Sequence, residues 1–206
     1  MVRNVKRGIV EIHILVALFM LTVWLFPTNF MFLIWNVFLA LIPFDLSLLI
    51  KNRQLKRWMT VVLTLVWLIF FPNTMYMLTD FSHLSSIGTG LMTETQFFNY
   101  ALLASGVMIG TLLGVSSAHI MAVRFFGEEA RIEALAFYAV LSLVSAFGIY
   151  LGRFLRLNSW DLLTNGHSVV QQVLQAFTMH SFVFVMSFGA LQLALLLMYH
   201  ILRKMK

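Results

Sequence analysis

Six stretches of this chain, about 9–26, 30–50, 58–78, 97–122, 132–151 and 176–202, are each long and apolar enough to cross the hydrocarbon core of a bilayer as a helix. A helical span needs roughly 20 such residues. The runs are continuous and do not alternate, so their backbone hydrogen bonds must close within each segment, which excludes a β-barrel. Composition points the same way. With 61% hydrophobic and 11% charged residues and a mean hydropathy of +0.90, no water-soluble fold of this size is expected. The longest stretch between the runs, before the last one, is about 25 residues, too short for a soluble domain. The reading is an all-α, polytopic membrane helix bundle, with residues 1–206 forming a single transmembrane domain.

Orientation follows from the basic residues, which accumulate on the cytoplasmic side of membrane proteins. With the N-terminus inside, twelve of the fourteen fall in cytoplasmic positions: Arg3, Lys6, Arg7, Lys51, Arg53, Lys56, Arg57, Arg124, Arg131, Arg203, Lys204 and Lys206. The connections 27–29 and 80–96 carry none. Only Arg153 and Arg156 remain, and they stand on the outer side, where the pattern does not place arginines. Both termini are therefore expected in the cytoplasm, and the N-terminal run, which ends in Trp24-Leu25-Phe26-Pro27 without a small-residue cleavage pattern, is read as a retained helix.

Several function classes drop out. The net charge of +6 would point to nucleic acid in a soluble domain, but here the cations are juxtamembrane and answer to topology and anionic lipid headgroups. No nucleic-acid partner is expected. The absence of cysteine removes disulfides, iron–sulfur clusters, thiolate zinc sites and a cysteine nucleophile. Gly106, Gly110 and Gly114, with Ala118 continuing the row, and Gly148 with Gly152 are small residues at helical spacing, suited to close packing inside the bundle more than to a dimer interface. Trp24, Trp58 and Trp160 fall near the expected interfaces as anchors.

Polar groups that hydrocarbon would penalise mark function in such chains, and they concentrate on the outer side. Pro72 should kink or break the third helix, freeing the Leu68 carbonyl, with Asn73 next to it and Asn36 of the second helix as a partner for Asn73 across the interface. Asp80 and His83 are three residues apart and share a face if the helix persists, a spacing that suits a base and a proton carrier. Asp161, His167 and His180 could join them in an Asp/His set, but no metal signature is matched and no metal is assigned. Arg153 and Arg156, also three apart, would form a forked cationic site for phosphate or carboxylate if the fifth helix runs past Gly152. Asp80 and Asp161 are available counter-ions. Ser159 with Asp161 reads as the start of a short interfacial helix, continued by Gln171, Gln172 and Gln175. Near the inner ends, Glu11 and Asp45 are expected to pair with juxtamembrane cations, and His13, His119 and His200 are expected at the interface.

Three separated stretches carry a family resemblance: Asn36 to Phe44, Phe71-Pro72-Asn73-Thr74-Met75-Tyr76 with Thr79-Asp80 and His83, and Gly152-Arg153-Phe154-Leu155-Arg156-Leu157-Asn158-Ser159-Trp160-Asp161. In that order they resemble the DUF1361 family of bacterial multi-pass membrane proteins. The resemblance implies a polytopic protein of the bacterial inner, or cytoplasmic, membrane and supplies no reaction and no cofactor.

Three functions remain open at this point. In the first, Asp80, His83, Arg153, Arg156, Asn158 and Asp161, with Asn73 and Asn36 nearby, line an outward pocket for an anionic headgroup or lipid-linked phosphate. Processing of that ligand would use Asp80 as base and His83 as proton carrier, so both an enzyme and a binding protein stand open. In the second, a small transporter or channel uses the Pro72 break and a polar route from Asp45 to Asp80. In the third, a membrane scaffold uses the outer charges only as an ion-pair clasp.

Overall fold

In a computed structural model, residues 2–51, 55–157, 164 and 166–205 are described, and among them every regular element is helical. The order is α1 (Val2–Leu25), α2 (Phe32–Lys51), α3 (Arg57–Phe70), α4 (Pro72–Tyr76), a 3-10 helix (Met77–Ser86), α5 (Glu94–Phe126), α6 (Ile132–Phe154), α7 (Gly166–Gln175) and α8 (Met179–Lys204). Six helical stretches are long and apolar enough to cross a membrane, with α3, α4 and the 3-10 helix together forming the third. The protein is a helical bundle of the multi-pass membrane type.

The chain alternates between two ends of the bundle. At one end Arg124 Nε donates to the Ile50 carbonyl (2.9 Å), so a cation terminates the carbonyl-rich end of α2 where it is electrostatically favoured. At the other end Thr28 Oγ1 donates to Asn99 Oδ1 (2.7 Å), tying the α1–α2 turn to the first turns of α5. The two ends are called below the basic end and the Asp80 end.

The longest helix, α5, is also the most enclosed, packing against α1, α2, the 3-10 helix, α4, α6 and α8. It starts ahead of its apolar run because polar residues cap its first turn, and it ends at Gly127, whose amide donates to the Val123 carbonyl. Thr93 accepts from the Gln96 amide while Gln96 accepts from the Thr93 amide, a capping box that satisfies two otherwise orphaned donors. Two apolar clusters meet on its faces. One joins Trp67, Phe71 and Met75 to Met121, Tyr138 and Leu196; the other joins Val16, Leu33, Val37 and Phe44 to Met77 and Leu103.

The small residues of α5 and α6 face inward. A Cβ on Gly110 would overlap the Met77 thioether, one on Gly114 would overlap the Thr74 hydroxyl, and one on Gly148 would come within 2.8 Å of Pro72 Cγ. The three glycines thus make room for one irregular stretch, Pro72 to Met77, which the close approach of α5 and α6 holds in place.

Candidate functional site

The third span breaks where proline requires it. Pro72 has no amide to donate, so α3 ends at Phe70 and the chain restarts as a single turn followed by a 3-10 helix. Local side chains take up carbonyls at the break: Asn73 Nδ2 donates to Phe70 (2.9 Å), Thr74 Oγ1 to Phe71 (2.8 Å) and Thr79 Oγ1 to Tyr76 (2.7 Å).

A 3-10 helix eclipses residues i and i+3, so it sorts its side chains into rows. Met77, Asp80 and His83 form one row. Met77 and Asp80 are buried, Asp80 at 2% exposure, while His83 emerges at the end. Thr79 and Ser82 form the adjacent row. The shared face expected of Asp80 and His83 is therefore present, by 3-10 rather than α-helical periodicity.

Asp80 Oδ2 accepts from Asn36 Nδ2 of α2 (2.9 Å). That bond departs from the expected Asn36–Asn73 pairing, because the 3-10 helix brings a carboxylate, the stronger acceptor, to the Asn36 amide. The His83 ring lies against Phe32 at 4.7 Å and Phe30 at 6.4 Å between centroids. Arg153, on the last turn of α6, donates from Nη1 to Thr79 Oγ1 (3.0 Å) and from Nη2 to Ser82 Oγ (2.9 Å). Among the described residues no carboxylate lies within ion-pair distance of Arg153, and no hydrogen bond joins Asp80 to His83.

The fork of Arg153 and Arg156 on one helical face does not form. Helix α6 ends at Phe154, Arg156 takes a left-handed backbone conformation (φ 57°), and the Leu157 amide turns back to the Leu151 carbonyl (3.3 Å). Arg153 thus packs on the 3-10 helix while Arg156 is exposed. Asn158 and Asp161, with Ser159 and Trp160, lie outside the described residues; α7 does carry Gln171, Gln172 and Gln175.

Asn36 and Asn73 both border a cleft of about 440 Å³ between α2, the α3–α4 break and α6, with Tyr76 beside them and Leu39, Leu68 and Val144 among its apolar walls. The sequence reading missed Thr79 and Ser82 as partners of Arg153. Their spacing of three beside Asp80 was the available signal, and it becomes informative only once the segment is known to be a 3-10 helix.

The remaining candidates lie elsewhere. His180 Nδ1 is 3.2 Å from the Tyr150 hydroxyl, and His167 Nε2 is 3.2 Å from Gln171 Nε2. Among the described residues no three His, Asp or Glu side chains gather as a metal-binding group. Glu11 accepts from Arg7 Nε (2.8 Å), as expected, but among the described residues Asp45 pairs with His13 Nε2 (3.1 Å) and with no lysine or arginine. His13 Nδ1 is meanwhile 2.9 Å from the Ile9 carbonyl. Between Asp45 and Asn36, α2 buries Val37, Ala40 and Phe44 in the apolar cluster with Met77 and Leu103, which counts against a polar route through the bundle.

A family model described as "Protein of unknown function (DUF1361)" matches residues 35–195, a segment that contains the α3 break, Asp80, His83, Arg153 and Arg156. Neither the curated proteins nor the solved structures give a match.

Proposed function

The chain belongs to the DUF1361 family, proteins of unknown function, and we propose that its Asp80 end binds an anionic, phosphate-bearing headgroup, of a lipid or lipid-linked ligand, on the extracytoplasmic side of a bacterial cell membrane. The observation that carries this reading is the state of Arg153. Its guanidinium is anchored by two neutral hydroxyls, which fix its direction, and among the described residues it has no ion-pair partner. A fixed cation at a membrane surface is suited to an anion, and the fork geometry of arginine to a phosphate.

In this reading Arg153 and the exposed Arg156 hold the charge, and Asn158 and Asp161, outside the described residues, are assigned to the same site from the sequence alone. Asn73 and Asn36 line the cleft below, where an apolar tail can lie against Leu39 and Val144. Asp80, positioned by Asn36, and His83, open to solvent, are the base and proton carrier if the ligand is processed. The outward sidedness rests on the twelve basic residues assigned to the opposite side.

The test is photo-crosslinking of the membrane-embedded protein with a photoactivatable phosphatidic acid. Labelled peptides should fall within 72–83 or 151–157, and Arg156→Ala should remove that labelling while membrane insertion stays normal. Labelling that is unchanged in Arg156→Ala, or absent from both segments in the wild type, would overturn the proposal.

A further inference from the structure

At the basic end, α6 and α8 separate around a second cavity, of about 430 Å³, unrelated to the cleft beside Asp80. The two helices run antiparallel here, with Tyr138 Oη 3.4 Å from His200 Nδ1 and the rings 5.5 Å apart between centroids. Each helix contributes one face at i, i+4 and i+7 periodicity: Arg131, Leu135 and Tyr138 from the first, Leu197, Ile201 and Lys204 from the second. Arg131 is the residue before α6 and Lys204 the last of α8, so the cations stand at the mouth. Leu135 and Ile201 lie one turn deeper and are 49% and 56% exposed on spans read as membrane-crossing, so the wall between them opens toward hydrocarbon.

Among the described residues neither Arg131 nor Lys204 forms an ion pair, and Glu133, in the first turn of α6, is not part of the lining. Two cations without an ion-pair partner among the described residues thus cap an apolar slot that both of them line.

We infer that this cavity is a binding site for an anionic glycerophospholipid, its phosphodiester between Arg131 and Lys204 and an acyl chain against Leu135 and Ile201. Basic pockets between membrane helices bind such headgroups through charge, and the apolar wall adds what a free phosphate ion could not use. The Tyr138–His200 pair forms the inner wall of the cavity.

The experiment uses the full chain in neutral lipid nanodiscs containing a phosphatidylglycerol with a photoactivatable acyl chain, and tracks labelling of residues 131–138 and 197–205 against lipid fraction. Saturable labelling is expected, with half-saturation raised roughly fivefold by Arg131→Gln or Lys204→Gln and about thirtyfold by both. Leu135→Trp, which fills the slot and retains both cations, should also abolish it. Three results would overturn the proposal. One is labelling unchanged in the double variant. Another is equal weakening by Lys56→Gln with Arg57→Gln, which would mean a diffuse basic surface. The third is displacement by inorganic phosphate at matching concentration, which would identify a phosphate site in place of a lipid site.

Discussion

Replacing Gly148 by alanine tests whether α6 holds the broken third span in place. Two effects oppose each other. Alanine favours a helix over glycine by up to about 1 kcal/mol, so in open space the change would stabilise α6. At Gly148 the space is not open: the new Cβ would lie 2.8 Å from Pro72 Cγ and 3.2 Å from Pro72 Cβ. A proline ring cannot rotate out of the way as a leucine or methionine can, so α4 or α6 must shift, and overpacking of that kind costs about 1–3 kcal/mol. Gly152, one turn on, is the internal control. Its added Cβ would meet nothing closer than the Leu157 carbonyl oxygen at 3.5 Å, an ordinary contact. The propensity gain is common to both variants and cancels in their comparison, which leaves the steric cost alone. Gly148→Ala should therefore be less stable than Gly152→Ala by about 1–3 kcal/mol, a gap of roughly 2–12 °C in thermal unfolding for a chain of this size. Scanning fluorimetry in one neutral detergent measures both variants. Equal melting temperatures, or a more stable Gly148→Ala, would refute the claim that this glycine exists to admit Pro72.

Asn36→Leu should cost about 1–3 kcal/mol by leaving the buried Asp80 carboxylate without that donor. Asn36→Leu combined with Asp80→Leu should recover most of the loss, because an apolar pair has no unmet hydrogen bond; additive losses in a double-mutant cycle would argue against direct coupling. Thr93→Ala removes the hydroxyl that caps α5 and should lower stability by about 1 kcal/mol, with hydrogen exchange rising first in residues 94–97; exchange that stays level there would sink the capping argument.

Most of the architecture is legible in the sequence because the bilayer allows few solutions. An uninterrupted apolar run must close its own hydrogen bonds, so six runs read as six spans, and a proline inside one of them reads as a break. The conformation beyond the break is harder to read. Phe71-Pro72-Asn73-Thr74 shows that the α-helix fails but not whether the chain resumes as α-helix, 3-10 helix or loop. That choice depends on how closely α5 and α6 approach, and so on where Gly110, Gly114 and Gly148 point. The glycine spacing could be read as internal packing, yet its object, the stretch from Pro72 to Met77, lies in another span.

The site inherits that dependence. Spacing alone made Arg153 and Arg156 a pair, since both would share a face on an extended helix. Helix α6 instead stops at Phe154, and the left-handed turn at Arg156 separates them. Arg153 then gains its partners from the 3-10 helix, whose eclipsed rows present Thr79 and Ser82 together and turn Asp80 away toward Asn36. One choice of helix type therefore decides both halves of the site. An α-helical continuation would have rotated successive residues by 100° and spread Thr79, Asp80 and Ser82 over different neighbours, whereas the 120° step of the 3-10 helix keeps the hydroxyl row for the arginine and the carboxylate row for the asparagine. Among the described residues Arg153 has no ion-pair partner because the carboxylate of this helix hydrogen-bonds in the other row, and it is on that separation that the proposal of an anion at the Asp80 end rests.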